Sequence, residues 1–191
     1  KVFERICDLL TQLEYLKVAG EDLEVTKAGV QLSKIYGERD LLIAQCLKAG
    51  VWQKLDPASM ATMAACLVYE GRGEESELEP KLPRGNFQEA LAATEAVQEE
   101  LYELQGEYRL PKEQRLQLDM AWGVYRWATG AKLQDALKLT GLLAGDFIRW
   151  SKQIIDLLDQ ISVSADAQVA ETSYKAIDLV KRGIVAYSYY I

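Results

Sequence analysis

Gly145-Asp-Phe-Ile-Arg-Trp-Ser-Lys-Gln-Ile-Ile-Asp-Leu-Leu-Asp-Gln160 carries two periodic rows on one segment. Phe147, Ile154, Leu158 and Ile161 form an apolar stripe, widened by Ile148, Ile155 and Leu157. Arg149, Lys152, Gln153, Asp156 and Gln160 fall at i, i+3, i+4, i+7 and i+11, on the opposite side. A helical period sorts the residues this way and an alternating strand does not. The segment is therefore expected to be a helix over 146–161, buried along one side.

The same period recurs outward in both directions. Val2, Ile6, Leu9, Leu10, Leu13 and Leu16 make one face of an opening helix. Helices are expected at 38–49, stopped by Gly50, and from Asp56-Pro57 to Tyr69-Glu70, where an N-cap side chain precedes a proline at the first helical position. Phe87 to about Glu107 reads as a long helix with an acidic outer face, closed by Pro111. Helices at 113–128, 132–140, 146–161 and 166–188 follow, with Gly130, Gly141 and Gly145 in the joints. Only Leu23-Glu-Val-Thr and Val30-Gln-Leu-Ser-Lys-Ile35 alternate, around Lys27-Ala-Gly29, and they read as a small hairpin. A helix followed by such a hairpin is the pattern that ends a winged-helix unit. The fold class is all-α: a helical bundle with one small β-hairpin near the N-terminus.

Composition narrows the function. The chain has 191 residues, ample for a buried core, and its mean hydropathy is -0.12. No apolar run is long enough to cross a membrane, and no charged-then-apolar leader opens the chain. A first residue other than Met, Lys1, suggests a piece of something longer. With no histidine, serine–histidine and cysteine–histidine catalysis and most catalytic zinc sites are excluded. Cys7, Cys46 and Cys66 have no C-x-x-C spacing and sit among apolar residues, as reduced, inert thiols of a cytoplasmic protein do.

Gly71-Arg-Gly73 lacks the Gly-Lys-Ser/Thr ending of a phosphate loop. Glu74, Glu75, Glu77 and Glu79 lack the spacing of a calcium loop and read as solvated charge. Asp156 and Asp159 share a helix face, but the Glu-x-x-His partner of di-metal bundles is missing. The chain alone is not expected to be an enzyme, to bind a cofactor or to hold a metal.

The net charge of -7 argues against nucleic acid until its distribution is read. Residues 71–110 hold 10 acids and 4 bases, whereas 111–191 hold 9 and 10. The polar row at 149–160 then has two readings. One is a strand-following row, with cations for phosphates and the Arg149 plane for stacking. The other is a solvated face with Arg149 or Lys152 paired to Asp156. Trp122, Tyr125, Trp127 and Trp150 have the spacing of core packing. Glu70 at a helix C-terminus is disfavoured by the dipole, which hints at a task elsewhere.

These residues carry a resemblance. Asp40-Leu-Leu-Ile-Ala-Gln-Cys-Leu-Lys-Ala-Gly-Val-Trp, Leu55-Asp-Pro and Ala65-Cys-Leu-Val-Tyr-Glu70 resemble the opening of the DSHCT domain. Ala121-Trp-Gly-Val-Tyr-Arg-Trp-Ala-Thr-Gly130, Gly145-Asp-Phe-Ile-Arg-Trp150 and Arg182-Gly-Ile-Val-Ala-Tyr-Ser188 follow in the family's order. That domain is the C-terminal helical module of DExH-box RNA helicases of the exosome-associated and HelY-like groups; the wording is most similar to the actinobacterial-type branch.

The resemblance implies a module that packs on two RecA-like motor domains and closes a channel for single-stranded RNA. Its ratchet helix lies along the RNA and matches 146–161. It implies RNA contacts at Arg149, at Gln153, where the family has a basic residue and Lys152 stands beside it, and at Glu70; Asp156 joins these candidates from the polar row itself. It implies a parent ATP-dependent RNA helicase whose ATP and magnesium bind in the motor domains, outside this chain. Residues 1–27 then lead from an upstream winged-helix region and 28–191 form the DSHCT-like bundle, with 71–86 an acidic loop.

Two other classes fit parts of the pattern. Lys132 to Arg149, with Gly141 in a turn, has the rhythm of a helix-turn-helix DNA-binding regulator, although a pI near 4.8 opposes it. The acidic helix 87–107 suits a protein-interaction module that docks a basic partner.

Overall fold

The computed structural model describes residues 1–35, 37–71 and 79–191. It is a mostly helical bundle with one two-stranded antiparallel hairpin near the N-terminus. Helix α1 (Val2–Gln12) leads into β1 (Leu16–Ala19) and β2 (Asp22–Val25), joined through Gly20 at φ 65°, with Leu16 opposite Val25 and Ala19 opposite Asp22.

The hairpin lies earlier than the alternation implied. Val30–Ile35 is not a strand: α2 (Lys27–Ser33) occupies most of it, capped by the Thr26 hydroxyl accepting from the Gly29 amide at 3.1 Å. The cap signal outweighs a short alternating run. Gly29 is obligatory there, because a Cβ would stand 2.2 Å from the Tyr15 carbonyl oxygen.

The core is organised on α4 (Pro57–Val68). Asp56 caps it as expected, accepting from the Ser59 amide at 2.8 Å, and every residue from Ala58 to Leu67 is buried. Around α4 pack α5 (Asn86–Glu107), α6 (Ala121–Ala128), α8 (Ala144–Ser164) and α9 (Ala167–Val180). Helix α3 (Asp40–Ala49) ends at Gly50 in the left-handed region and packs on α5. Trp52 is buried and donates from Nε1 to the Thr94 hydroxyl at 2.9 Å, and that hydroxyl donates to the Ala90 carbonyl at 2.7 Å. Burial pushes the Cys46 and Cys66 thiols up to about 12, so both are protonated and unreactive, while Cys7 is only half-buried.

Three helical expectations need correction. The segment 111–118 is not helical. Gln98 and Tyr102 of α5 hold its backbone, through the Gln114 carbonyl at 3.2 Å and the Glu113 carbonyl at 2.8 Å. Helix α6 begins only at Ala121. The expected helix 166–188 breaks into α9 and α10 (Gly183–Tyr187), closed by a 3-10 turn at Ser188–Tyr190. At the break Arg182 lies 3.7 Å over the Trp127 ring and donates to the carbonyls of Trp127 and Ala131, while Trp127 Nε1 donates to the Val180 carbonyl at 2.9 Å. Gly145 is not a joint; it lies inside α8.

Helix α7 (Leu133–Thr140) ends at Gly141 and crosses α6 closely at Gly123. A Cβ on Gly123 would stand 2.3 Å from Thr140 Cγ2 and 3.3 Å from the Ala136 carbonyl oxygen. Gly106, helical and exposed, has nothing within 4 Å of its Cβ position. Gly123→Ala is expected to cost about 1–3 kcal/mol through overpacking. At about 2–4 °C per kcal/mol for a chain of this size, thermal melts register the loss. Gly106→Ala is expected to raise the midpoint slightly, since alanine is the better helix former by up to about 1 kcal/mol.

Candidate nucleic-acid interface

Helix α8 has 21 residues and is therefore about 30 Å long. Its apolar stripe is buried as expected: Phe147, Ile154, Ile155, Leu157, Leu158 and Ile161 face α4 and α9. Trp150 and Trp127 are core residues, Trp150 edge-on to Tyr69 at 5.3 Å and Trp127 edge-on to Phe147 at 5.4 Å. Trp122 and Tyr125 stack on each other at 5.6 Å, half-buried.

The polar row opposite divides into three parts. Arg149 is exposed, with its guanidinium 4.7 Å from the Trp150 ring and 3.5 Å from the Asp146 carboxylate. The ion pair on this face is thus with Asp146, one turn earlier, and Asp156 takes no part in it. Lys152 leans toward the end of the chain, donating to the Ser188 carbonyl at 3.3 Å and lying 4.7 Å from the Tyr189 ring. Gln153, Asp156 and Gln160 line a groove of about 390 Å³ together with Glu70.

Glu70 reaches the groove because α4 ends at Val68. Tyr69 is extended at φ -68° and ψ 129°, and Glu70 follows it beyond the helix. It is therefore not on the last helical turn, and it is exposed and lines the groove with the α8 residues. Arg39, just before α3, and Glu113 and Gln114 of the non-helical segment 111–118 line it as well. The Arg39 guanidinium donates to the carbonyls of Gln114 and Arg115, so it fastens that segment to α3.

Burial pushes the Arg39 guanidinium below its ordinary value, while the carboxylates of Glu113, Glu38 and Glu70 pull it back up. It stays charged. The sequence reading missed Arg39. The available signal was local misfit: a cation at a helix N-terminus faces an unfavourable dipole, the mirror image of the argument made for Glu70.

Among the described residues, the groove is lined by the carboxylates of Glu38, Glu70, Glu113 and Asp156 and by one cation, Arg39, whose N–H groups are partly committed. It presents acceptors, and side-chain amides at Gln114, Gln153 and Gln160. Such a surface suits hydrogen-bond donors and repels phosphates. The cations of the row, Arg149 and Lys152, do not line it. Glu74, Glu75 and Glu77 of the acidic loop lie outside the described residues. Among the described residues no group of three or more histidine, cysteine or acidic side chains could hold a metal, and no helix is long and apolar enough to cross a membrane.

Residues 22–188 match the DSHCT (NUC185) domain. The chain belongs to the DSHCT family. Over 97% of its length it is 34% identical to the "Probable helicase HelY" of Mycobacterium tuberculosis (strain ATCC 25618 / H37Rv). It is 32% identical, over the same share, to the protein of that name from Mycobacterium leprae (strain TN). The match covers 22% and 21% of those relatives, so the chain spans about a fifth of their length. It is a helicase-related DSHCT domain, as the motifs from Asp40 to Ser188 suggested.

The Asp156 carboxyl is pushed up from its ordinary value, by partial burial first and by Asp159 next, with Lys152 opposing. A carboxylate raised on folding costs stability above its folded pKa, and the cost disappears as pH falls and it protonates. Asp156→Asn is therefore expected to melt higher than wild type at neutral pH. The difference should close toward about pH 4, in the carboxylate range, when thermal midpoints are followed across pH.

Proposed function

We propose that this domain lines the single-stranded RNA channel of a superfamily 2 ATP-dependent RNA helicase and couples RNA contact to the motor domains. The observation that supports this reading best is the groove itself. Glu70 and the α8 residues Gln153, Asp156 and Gln160 are more than 80 residues apart in sequence, yet they line one cleft. An acceptor-rich cleft suits base edges, and the cations at the N-terminal end of α8 suit the phosphates beside it.

The motor that hydrolyses ATP with magnesium is assigned to the remainder of the parent chain, with RecA-like domains packed against this one. Val2, Phe3 and Ile6 of α1 are exposed at 52%, 75% and 40%, and this apolar face fits an upstream winged-helix domain. A cytoplasmic location fits buried, protonated Cys46 and Cys66. The helix-turn-helix alternative fits less well, because Arg149 and Lys152 are the only cations of the α8 row that could face DNA and Lys152 leans toward Ser188.

Fluorescence anisotropy on the full-length protein tests the reading, with single-stranded RNA and duplex DNA titrated across salt. Binding that favours the single strand and weakens as salt rises is expected. Arg149→Ala/Lys152→Ala should flatten the salt dependence, whereas Glu70→Ala/Gln153→Ala should weaken binding about 5-fold or more and leave the salt slope unchanged, as base contacts do. Tighter binding to duplex DNA than to single strands would overturn the assignment.

A further inference from the structure

We propose that Lys152, Lys181 and Tyr189 form a phosphate-binding site for single-stranded nucleic acid on the flank of α8. The proposal rests on the RNA-channel reading above and adds to it two residues from other elements, Lys181 and Tyr189.

The three residues come from separate elements. Lys152 is on α8, Lys181 caps the C-terminus of α9, and Tyr189 lies in the closing 3-10 turn. Both ammonium groups converge on one ring: Lys152 Nζ lies 4.7 Å from the Tyr189 centroid and Lys181 Nζ 4.3 Å. The two cations are therefore at most about 9 Å apart. Like charges repel at that separation, so holding them together needs compensation. The negative face of the ring supplies part of it. The Ser188 carbonyl, accepting from Lys152 at 3.3 Å, supplies more.

The acid beside this cluster is Asp156, which feels the Lys152 charge and acts on Tyr189 but forms no ion pair with either lysine. Elsewhere the protein pairs Lys17 with Glu24, Lys175 with Glu171 and Arg149 with Asp146. Among the described residues no carboxylate lies within 4.0 Å of Lys152 or Lys181. In a chain of net charge -7, two lysines gathered on one ring with no acid in ion-pair contact make a locally cationic spot. Lys181 at a helix C-terminus is favoured by the dipole, which explains its position but not its gathering with Lys152 on a ring. Ammonium groups held this way keep N–H donors for an anion.

The anion is identified by what lies next door. Lys152 and Asp156 are one helical turn apart on α8, so the lysine cluster borders the groove that Asp156 lines. A strand whose bases enter the acceptor-rich groove must carry its phosphates outside it. The lysine pair is a favourable place along that edge. Tyr187 and Tyr190, exposed at 58% and 85%, flank Tyr189 in sequence and offer ring faces nearby.

The test compares Lys181→Ala and Tyr189→Leu with Lys181→Arg and Tyr189→Phe in the full-length protein. Affinity for a single-stranded RNA and a DNA of the same sequence is measured across salt. Lys181→Ala should weaken both about 5-fold at ~0.1 M salt and lower the slope of log affinity against log salt by about 0.7, the value for one phosphate on a single strand. Tyr189→Leu should release the lysines and give a similar loss, while the arginine and phenylalanine variants should bind as wild type does. If wild type binds and Glu70→Ala/Gln153→Ala weakens it while Lys181→Ala changes nothing, the phosphate site is wrong and the groove reading stands. A loss confined to RNA would also overturn the phosphate assignment, because a phosphate contact is blind to the 2′-hydroxyl. If wild type binds no single strand, the channel reading fails and this proposal fails with it.

Discussion

Helix α4 has no solvent face. From Ala58 to Leu67 every residue is buried, and the run is built of Ala58, Ala61, Ala64 and Ala65 among Met60, Met63, Cys66 and Leu67. Small side chains let neighbouring helices approach from several sides at once, and the remaining polar groups are absorbed locally, as when the Thr62 hydroxyl donates to the Ala58 carbonyl at 2.8 Å. Helices α6, α8 and α9 pack directly on this axis, α8 and α9 also pack on each other, and α5 touches it more lightly while packing on α3.

That arrangement decides which polar residues meet. Tyr69 turns the chain out of α4, and its ring meets Trp150 of α8 edge-on at 5.3 Å, so the residue after it emerges opposite α8. Arg39 then fastens Gln114 and Arg115 of the non-helical segment beside them. The division of charge along α8 has the same origin. The half of the row that faces the groove meets carboxylates from three other elements, whereas Lys152 meets the chain's own C-terminal turn.

Local signals made much of this legible. Asp56-Pro57, Gly50 and Gly141 punctuate helices where capping chemistry says they should, and the apolar stripe of α8 is buried as its period requires. The errors fall where local signals compete or tertiary bonds prevail. Thr26 caps a helix inside an alternating stretch. Residues 111–118 have helical composition, but α5 and Arg39 take the carbonyls of Glu113, Gln114 and Arg115 for side-chain bonds, and no helix forms there. Arg182 and Trp127 break a helix that periodicity alone would continue. For the site, Glu70, Gln153, Asp156 and Gln160 were found from spacing and resemblance and do share a cleft. Arg39 and the turn of Lys152 toward Tyr189 depend on contacts over 36 residues or more, which no window of sequence reports.

The burial of α4 also sets how the groove can move. A helix enclosed on every side opens only with the unfolding of the whole domain, so its amides belong to the slowest-exchanging class. Glu70 sits two residues beyond its last turn and inherits that stillness through Tyr69, itself buried. The backbone under Glu70 is therefore a fixed base, while its exposed carboxylate keeps its own rotamers. Any yielding in the cleft falls first to its side chains, Glu70 among them.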